Sequence, residues 1–257
     1  MSRNATPKCL ERLDVLVLAG GRGTRLRAAI GETAKLMAPI AGKPYLAHLF
    51  AWLARFGARR VVLSLGYKAE TVLEFLERQS FPGLDVVTCV ESEPLGTAGA
   101  VRFARPLLRS DPVLVMNGDS YCDADLCALI ARHRDGGALG TLLCADVEDA
   151  GRYGRVVVDS RERVTGFFEK DPSYHGLAAI NAGVYVMSGR LLEWIMTSAG
   201  DSLERDVIER LVDGSLVAMR GRYRFIDIGT PESFAQAAEV LGGLVETAVA
   251  GLATHDR

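Results

Sequence analysis

Val15-Leu16-Val17-Leu18-Ala19-Gly20-Gly21-Arg22-Gly23-Thr24-Arg25-Leu26 is the stretch whose reading decides the fold. Val15 to Leu18 is an unbroken aliphatic run, too short for a helix and suited to a strand buried on both faces. Gly20, Gly21 and Gly23 then form a turn in which no Cβ stands between the backbone and a ligand. A strand running into such a turn presents a row of N–H groups to phosphate oxygens. Arg25 adds a planar, permanently charged fork for the same oxygens. Leu18, Ala19 and Thr24 complete this nucleotide-loop candidate. A Walker loop is excluded, because no Gly-Lys-Ser/Thr follows at the required spacing. A dinucleotide fingerprint is met only in part, because Arg25 and Leu26 stand where its third glycine belongs. The stretch reads as a phosphate cradle of another kind.

Outward from the loop, 257 residues that are 49% hydrophobic and 24% charged suit one α/β unit. The expected division is a flexible extension over 1–13, the domain over 14–246 and a tail over 247–257. A net charge of -2 gives no electrostatic case for nucleic acid or a membrane surface. No apolar run is long enough to cross a bilayer, and Met1 to Asp14 lacks the apolar core of a secretory signal. Cys9, Cys89, Cys122, Cys127 and Cys144 are scattered, odd in number and without zinc-ligand spacing. A reduced, cytoplasmic setting is the simplest that fits. Homo-oligomer formation is left open.

Strand-like and helix-like segments alternate through the first half. Strands are expected at Arg60 to Leu65, Leu84 to Val90 and Pro112 to Met116. Helices are expected from about Pro44 to Phe56, after Gly66-Tyr67-Lys68 to about Arg78, and from Thr97 to Leu108. This order predicts a mixed, mostly parallel Rossmann-like sheet flanked by helices, with ligands at the carboxyl ends of its strands. The Gly20 loop, Glu91 to Gly99 and Asp119 all fall at such ends. Beyond Asp125 a helix from Leu126 to His133 leads to strands at Thr141 to Asp146, Arg155 to Val158, Val164 to Phe168 and Ala179 to Met187. Helices at Leu191 to Met196 and Leu203 to Val212 and a strand pair, Leu216 to Arg220 and Arg222 to Ile228, precede a last helix from Pro231 to about Val245. This half is expected to extend the sheet and build an acceptor pocket.

Asn117-Gly118-Asp119 places a carboxylate at an apolar strand's end, and Asp227 stands among apolar neighbours in Phe225-Ile226-Asp227-Ile228-Gly229. Each has an ordinary reading, a turn for the first and a salt bridge for the second. Together they form a clamp for Mg²⁺, which takes one or two carboxylates plus phosphate oxygens. Pro94, Gly96 and Thr97 follow Glu91 in a loop that opens a helix. A carboxylate only accepts hydrogen bonds, and guanine alone among the common bases sets two donors side by side. Glu91 therefore favours GTP if it faces the base. Lys170, after an apolar strand, can supply a point charge to a sugar phosphate, and Glu169 and Asn181 can meet sugar hydroxyls.

The order of these segments resembles the sugar-1-phosphate nucleotidyltransferases from about Leu13 to Leu241, and most of all the D-glycero-α-D-manno-heptose 1-phosphate guanylyltransferases. The resemblance is carried by the loop Leu18 to Leu26, Met37-Ala38-Pro39-Ile40, Gly42-Lys43-Pro44, Tyr67-Lys68, Glu93-Pro94-Leu95-Gly96-Thr97, Arg152-Tyr153-Gly154, Phe168-Glu169-Lys170, Ile180-Asn181-Ala182-Gly183 and Phe225 to Pro231. Mannose-1-phosphate guanylyltransferases share many of them. The resemblance implies Mg²⁺ held by Asp119 and Asp227, triphosphate contacts from the loop, Arg25 and Lys35, sugar-phosphate contacts from Lys170, and a sugar pocket lined by backbone near Tyr153 and Gly154 with Glu169 and Asn181. It implies catalysis by Arg25, Lys35 and Lys170, with GTP and a sugar 1-phosphate as partners. Lys35 departs from the family pattern: Ala34 and Leu36 flank it where prolines are common, so two fixed φ angles are lost and a looser loop is expected. No β-helix acyltransferase domain, as some members carry, is expected after the last helix. Two other classes are weighed against this reading. A non-catalytic nucleotide-sugar sensor has no need of both carboxylates with Arg25 and Lys170. A dinucleotide oxidoreductase needs an acidic residue after the second strand, where Leu65-Gly66-Tyr67-Lys68 offers none.

Overall fold

The computed structural model describes residues 8–252. In chain order the strands and α-helices are β1 (Asp14–Ala19), α1 (Arg27–Ile30), β2 (Pro39–Ile40), β3 (Lys43–Pro44), α2 (Tyr45–Ala54), β4 (Arg60–Leu65), α3 (Ala69–Arg78), β5 (Asp85–Val90), α4 (Gly96–Ala104), β6 (Val113–Asn117), β7 (Ser120–Cys122), α5 (Leu126–Gly136), β8 (Gly140–Val147), β9 (Arg155–Val158), β10 (Val164–Phe168), β11 (Ala178–Met187), α6 (Gly189–Thr197), β12 (Leu216–Gly221), β13 (Phe225–Asp227) and α7 (Pro231–Leu252). Among the described residues the main sheet has nine strands in the order β10-β9-β11-β6-β1-β4-β5, with β8 on β11 and β12 on β8. β6, β1, β4 and β5 run parallel. β11 turns the sheet antiparallel against β6, β8 and β9. The sheet is the mixed, mostly parallel one that the alternation predicts.

β1 sits at the centre because its side chains serve both layers. Val15 and Val17 pack into the core that contains α2 and the buried face of α7, and Leu16 and Leu18 into the core under α4 and α6. Val15, Leu16 and Val17 are fully buried, and burying one such side chain stabilises the fold by about 1.5–3 kcal/mol. An aliphatic run without polar alternation therefore has one place to go, and its end projects the glycine loop from the middle of the sheet.

Four expectations change. Leu10 is fully buried and its N–H donates to the Phe56 carbonyl, and Leu13 is buried too, so these two leucines anchor residues 8–13 to the core where a flexible extension was expected; residues 1–7 lie outside the described residues. α7 continues to Leu252, into the stretch expected to be a tail. The strand pair expected near the end is no hairpin. β12 lies parallel to β8, whereas β13 crosses over to β7. Cys9 and Cys127 form a disulfide across 118 residues, and Cys89, Cys122 and Cys144 are free. The cysteine pattern therefore gives no support to a reduced compartment.

His133, on α5, is buried with its Nδ1 3.1 Å from the Thr141 hydroxyl. Burial, followed by the charge of Arg134, holds its pKa below the ordinary 6.5. The unfolded chain then binds a proton that the folded chain refuses, so stability falls as pH drops below about 6.5 and levels off beneath the folded pKa. Urea unfolding at pH 7.5 and 5.5 measures this slope, and His133→Gln is expected to flatten it.

Candidate active site

The carboxyl ends of β1, β4, β5 and β6 meet at one point. Gly66 approaches Gly20 so closely that a Cβ on Gly66 would lie 2.7 Å from the Gly20 carbonyl oxygen. The Tyr67 N–H donates to that carbonyl, and the Gly118 N–H to the carbonyl of Leu18. These contacts frame a cleft of about 420 Å³ lined by Leu18, Ala19, Gly20, Gly21, Arg22, Lys35, Glu91, Pro94, Gly96, Thr97, Asn117, Gly118 and Asp119. Its size and concavity suit a nucleotide.

Gly23 takes a left-handed φ of 58° and reverses the chain. The following turn is closed by Leu26 N–H to the Gly23 carbonyl, which buries Leu26 and carries Arg25 away from the cradle. Arg25 consequently lines a second cleft, and Arg22 takes the place expected of it in the first. Gly23 and Thr24 line neither; Gly23 lies over the Lys35 chain, where a Cβ would come within 3.1 Å of Cγ.

The second cleft, about 550 Å³, adjoins the first at Asn117 and Asp119 and is lined also by Arg25, Ser120, Tyr153, Gly154, Phe167, Glu169, Lys170, Asn181, Ser202, Glu204, Arg205, Phe225 and Asp227. Every residue expected at the sugar phosphate is in it. Gly183, with a φ of 70°, makes this possible. It sits where β11 slips register between Asn181 and Tyr185, and a Cβ there would meet the Asn117 amide at 2.6 Å. The bulge turns Asn181 so that its Oδ1 accepts from the Gly183 N–H and its Nδ2 donates to the Tyr185 hydroxyl.

Asp119 and Asp227 come together because β13 pairs with β7, with Asp227 opposite Ser120 and Ile228 N–H donating to the Asp119 carbonyl. Tyr45 braces the pair from below through its hydroxyl to the Ser120 carbonyl. Asp119 Oδ2 pairs with Lys35 Nζ at 2.6 Å. Burial raises the Asp119 pKa, but the charge and hydrogen bond of Lys35 outweigh it and hold the carboxyl below its usual range. Asp227 goes the other way: burial and then the Asp119 charge push it up, against Lys35, the Gly229 N–H and Lys170. Two half-buried carboxylates close enough to repel each other are what a divalent cation neutralises. The residues fit Mg²⁺ in number and kind.

Lys35 stands in a short 3₁₀ turn, Lys35–Met37, closed by Met37 N–H to the Ala34 carbonyl and Ala38 N–H to the Lys35 carbonyl. Ala34 and Leu36 are buried on either side of it. Packing thus fixes the loop that lost two prolines, and Leu36 uses its side chain to do it.

Glu91 lies on the wall of the first cleft, only 8% exposed and against Gly20. Its Oε1 accepts from the Ser64 hydroxyl and its Oε2 from the Leu95 N–H. A base must share these oxygens with the loop they already hold. Ser202, Glu204 and Arg205 are site residues that the sequence did not reveal. Ser202 accepts from the Arg205 N–H in the manner of a helix cap, a signal readable in the sequence. Which cleft that cap would face depended on the path from β11 to β12.

Residues 14–242 match the nucleotidyl transferase family. The chain belongs to that family. Among relatives in it, a D-glycero-alpha-D-manno-heptose 1-phosphate guanylyltransferase from Aneurinibacillus thermoaerophilus is 34% identical over 230 residues, 89% of this chain and 98% of that protein. A mannose-1-phosphate guanylyltransferase from Mycobacterium tuberculosis is 35% identical over 239 residues, 91% of this chain and 66% of that one. The crystal structure of HddC from Yersinia pseudotuberculosis complexed with GMP-PN has a TM-score of 0.78 and 34% identity, covering 89% of this chain and 99% of that chain. The family's fold is therefore this chain's fold, from the glycine loop to the start of α7. Among the described residues no helix is long and apolar enough to cross a membrane.

Proposed function

We propose that this nucleotidyl transferase transfers GMP from GTP to a sugar 1-phosphate, with D-glycero-α-D-manno-heptose 1-phosphate as the acceptor, giving a GDP-sugar and pyrophosphate. The observation that carries the reading is the junction of the two clefts at Asp119, with Asp227 beside it and cations on both sides. The named relatives support guanine as the base and a heptose as the sugar. Mannose 1-phosphate is the runner-up, favoured by the relative from Mycobacterium tuberculosis.

The acceptor's phosphate oxygen attacks the α-phosphorus and pyrophosphate leaves on the opposite side. That oxygen is anionic at neutral pH, so no general base is needed, and catalysis is positioning and charge neutralisation. The N–H groups of Gly20 and Gly21, with Arg22 and Lys35, hold the triphosphate. Lys170 and Arg25 hold the acceptor's phosphate in the second cleft, and Asn181, Glu169 and the backbone at Tyr153 and Gly154 hold its hydroxyls. Asp119 and Asp227 would hold Mg²⁺, which when bound supplies charge neutralisation to the reacting phosphates. Both substrates are phosphorylated, membrane-impermeant metabolites, which supports a cytoplasmic setting.

The test is pyrophosphate release with Mg²⁺ across a grid of nucleoside triphosphates and sugar 1-phosphates. GTP with the heptose phosphate is expected to give the highest kcat/KM; GTP with mannose 1-phosphate would select the runner-up; no release from any pair overturns the reading. Glu91→Gln places an amide against the donors that a carboxylate accepts. It is expected to lower the preference for GTP over dTTP and UTP by about tenfold, the scale of one mismatched hydrogen bond. An unchanged preference leaves Glu91 as a brace for the Leu95 loop alone.

A further inference from the structure

Two substrates that react in line must be held in register, and the two clefts share only Asn117 and Asp119. We infer that Glu204 is the positioning residue that couples them, tying the nucleotide loop to the floor of the acceptor cleft. The inference rests on the reaction proposed above.

Glu204 Oε2 accepts from the Thr97 hydroxyl at 3.1 Å and from the Ser202 hydroxyl at 3.1 Å. Its Oε1 accepts from the Tyr185 hydroxyl at 3.4 Å. Thr97 lines the nucleotide cleft and itself accepts from the Leu203 N–H at 2.8 Å. Tyr185 accepts from Asn181 Nδ2 at 2.7 Å, and Asn181 lines the acceptor cleft. A continuous hydrogen-bonded line thus runs Thr97–Glu204–Tyr185–Asn181 from one cleft to the other. Tyr185 is fully buried beside Glu204, and its phenol is raised well above its ordinary value, so it remains a neutral donor.

The pairing of β11 with β6 joins the clefts at Asn117 but does not take in α4. The start of α4 is fastened to residues 200–203 by Ala98 N–H to the Asp201 carbonyl and by Arg102 to the Gly200 carbonyl and Asp201 Oδ1. Gly96 lies so close to the Asp201 carbonyl that a Cβ there has no room. Glu204–Ile208 forms a π-turn, a wider turn than an α-helix allows, and such turns recur at functional sites. Here it sets the Glu204 carboxylate between Thr97 and Tyr185 while Val207 and Ile208 stay buried.

A purely structural brace would affect folding and both substrates alike; a coupling residue affects what one substrate does for the other. Acceptor affinity is therefore measured by calorimetry on the full chain, with and without a non-hydrolysable GTP analogue. In the unmodified protein the analogue is expected to tighten acceptor binding about tenfold, within the usual range of coupling between sites. Glu204→Gln, whose amide cannot accept from Thr97 and Ser202 on one side and from Tyr185 on the other, is expected to abolish that gain and to raise KM for the acceptor about tenfold, with nucleotide affinity and melting temperature little changed. Thr97→Val, measured at a concentration of the analogue that saturates it, is expected to abolish the gain as well, Thr97→Ser to restore it, and the double variant to show no less coupling than either single one.

Full coupling in both single variants overturns the inference, as does additive loss in the double variant or an unmodified protein whose two substrates bind independently. Should Glu204→Gln fail to fold, the Thr97→Val and Thr97→Ser pair decides alone. A protein that neither binds GTP nor releases pyrophosphate refutes the proposed reaction instead; turnover with unaltered coupling refutes only the role of Glu204.

Discussion

Asp227→Asn is expected to lower kcat by about 10³-fold, the scale of removing one preorganised charge from a reacting centre, while leaving the folded state as stable as before or more so. The two halves of this result come from one pair of facts. Asp227 is pushed up by burial and by the charge of Asp119, so its ionised form is held at a cost. Asparagine keeps the shape and can still accept from the Gly229 N–H through Oδ1, the 2.7 Å bond that Asp227 makes. What it removes is the negative charge, and with it both the repulsion and half of the pair that would hold Mg²⁺. Asp119→Asn is expected to lose as much turnover but to lose stability too, because it leaves Lys35 without its partner. The measurements are pyrophosphate release at saturating Mg²⁺ and thermal melting without it. A kcat within threefold of the parent in either variant would exclude the metal assignment.

How far this site could be read from sequence depended on how locally each residue was determined. Asp119 was legible because an apolar strand ends on it, and a strand end in a parallel sheet is a ligand site whatever the rest of the chain does. Asp227 was legible as a poorly solvated carboxylate, although its strand was assigned the wrong partner. β13 pairs with β7, which precedes it by about a hundred residues, and no local pattern reports so distant a register. Arg22 and Arg25 lie three residues apart in one turn, and the left-handed φ of Gly23 decides which of them lines the first cleft. The glycine was visible but the sign of its φ was not. Leu10 and Cys9 sit in a polar-looking segment and are recruited by α2 and α5 only once those helices are packed. Glu204 lay in a stretch read as an ordinary helix, and nothing in its neighbours forecast the π-turn or Thr97 on the far side.

Lys35→Met is expected to separate metal binding from turnover, in opposite directions. The Lys35 ammonium pairs with Asp119 Oδ2 at 2.6 Å, with both side chains only partly exposed. Any divalent cation that takes Asp119 as a ligand must compete with that ammonium. Removing it while keeping an unbranched side chain over Gly23 leaves two carboxylates with less positive charge between them. Mn²⁺, titrated by electron paramagnetic resonance in the absence of nucleotide, is therefore expected to bind about tenfold more tightly, the scale of one charge-assisted hydrogen bond no longer competing. Turnover is expected to fall about 10²-fold, because the same ammonium lies on the wall of the nucleotide cleft, where triphosphate charge accumulates. Lys35→Arg tests the geometry apart from the charge. Its longer planar head does not fit between Gly23 and Asp119 as the ammonium does, so it is expected to retain the charge but recover little of the rate. If Lys35→Met binds Mn²⁺ no better than the parent, Lys35 and the metal do not share Asp119, and the ion pair is structural.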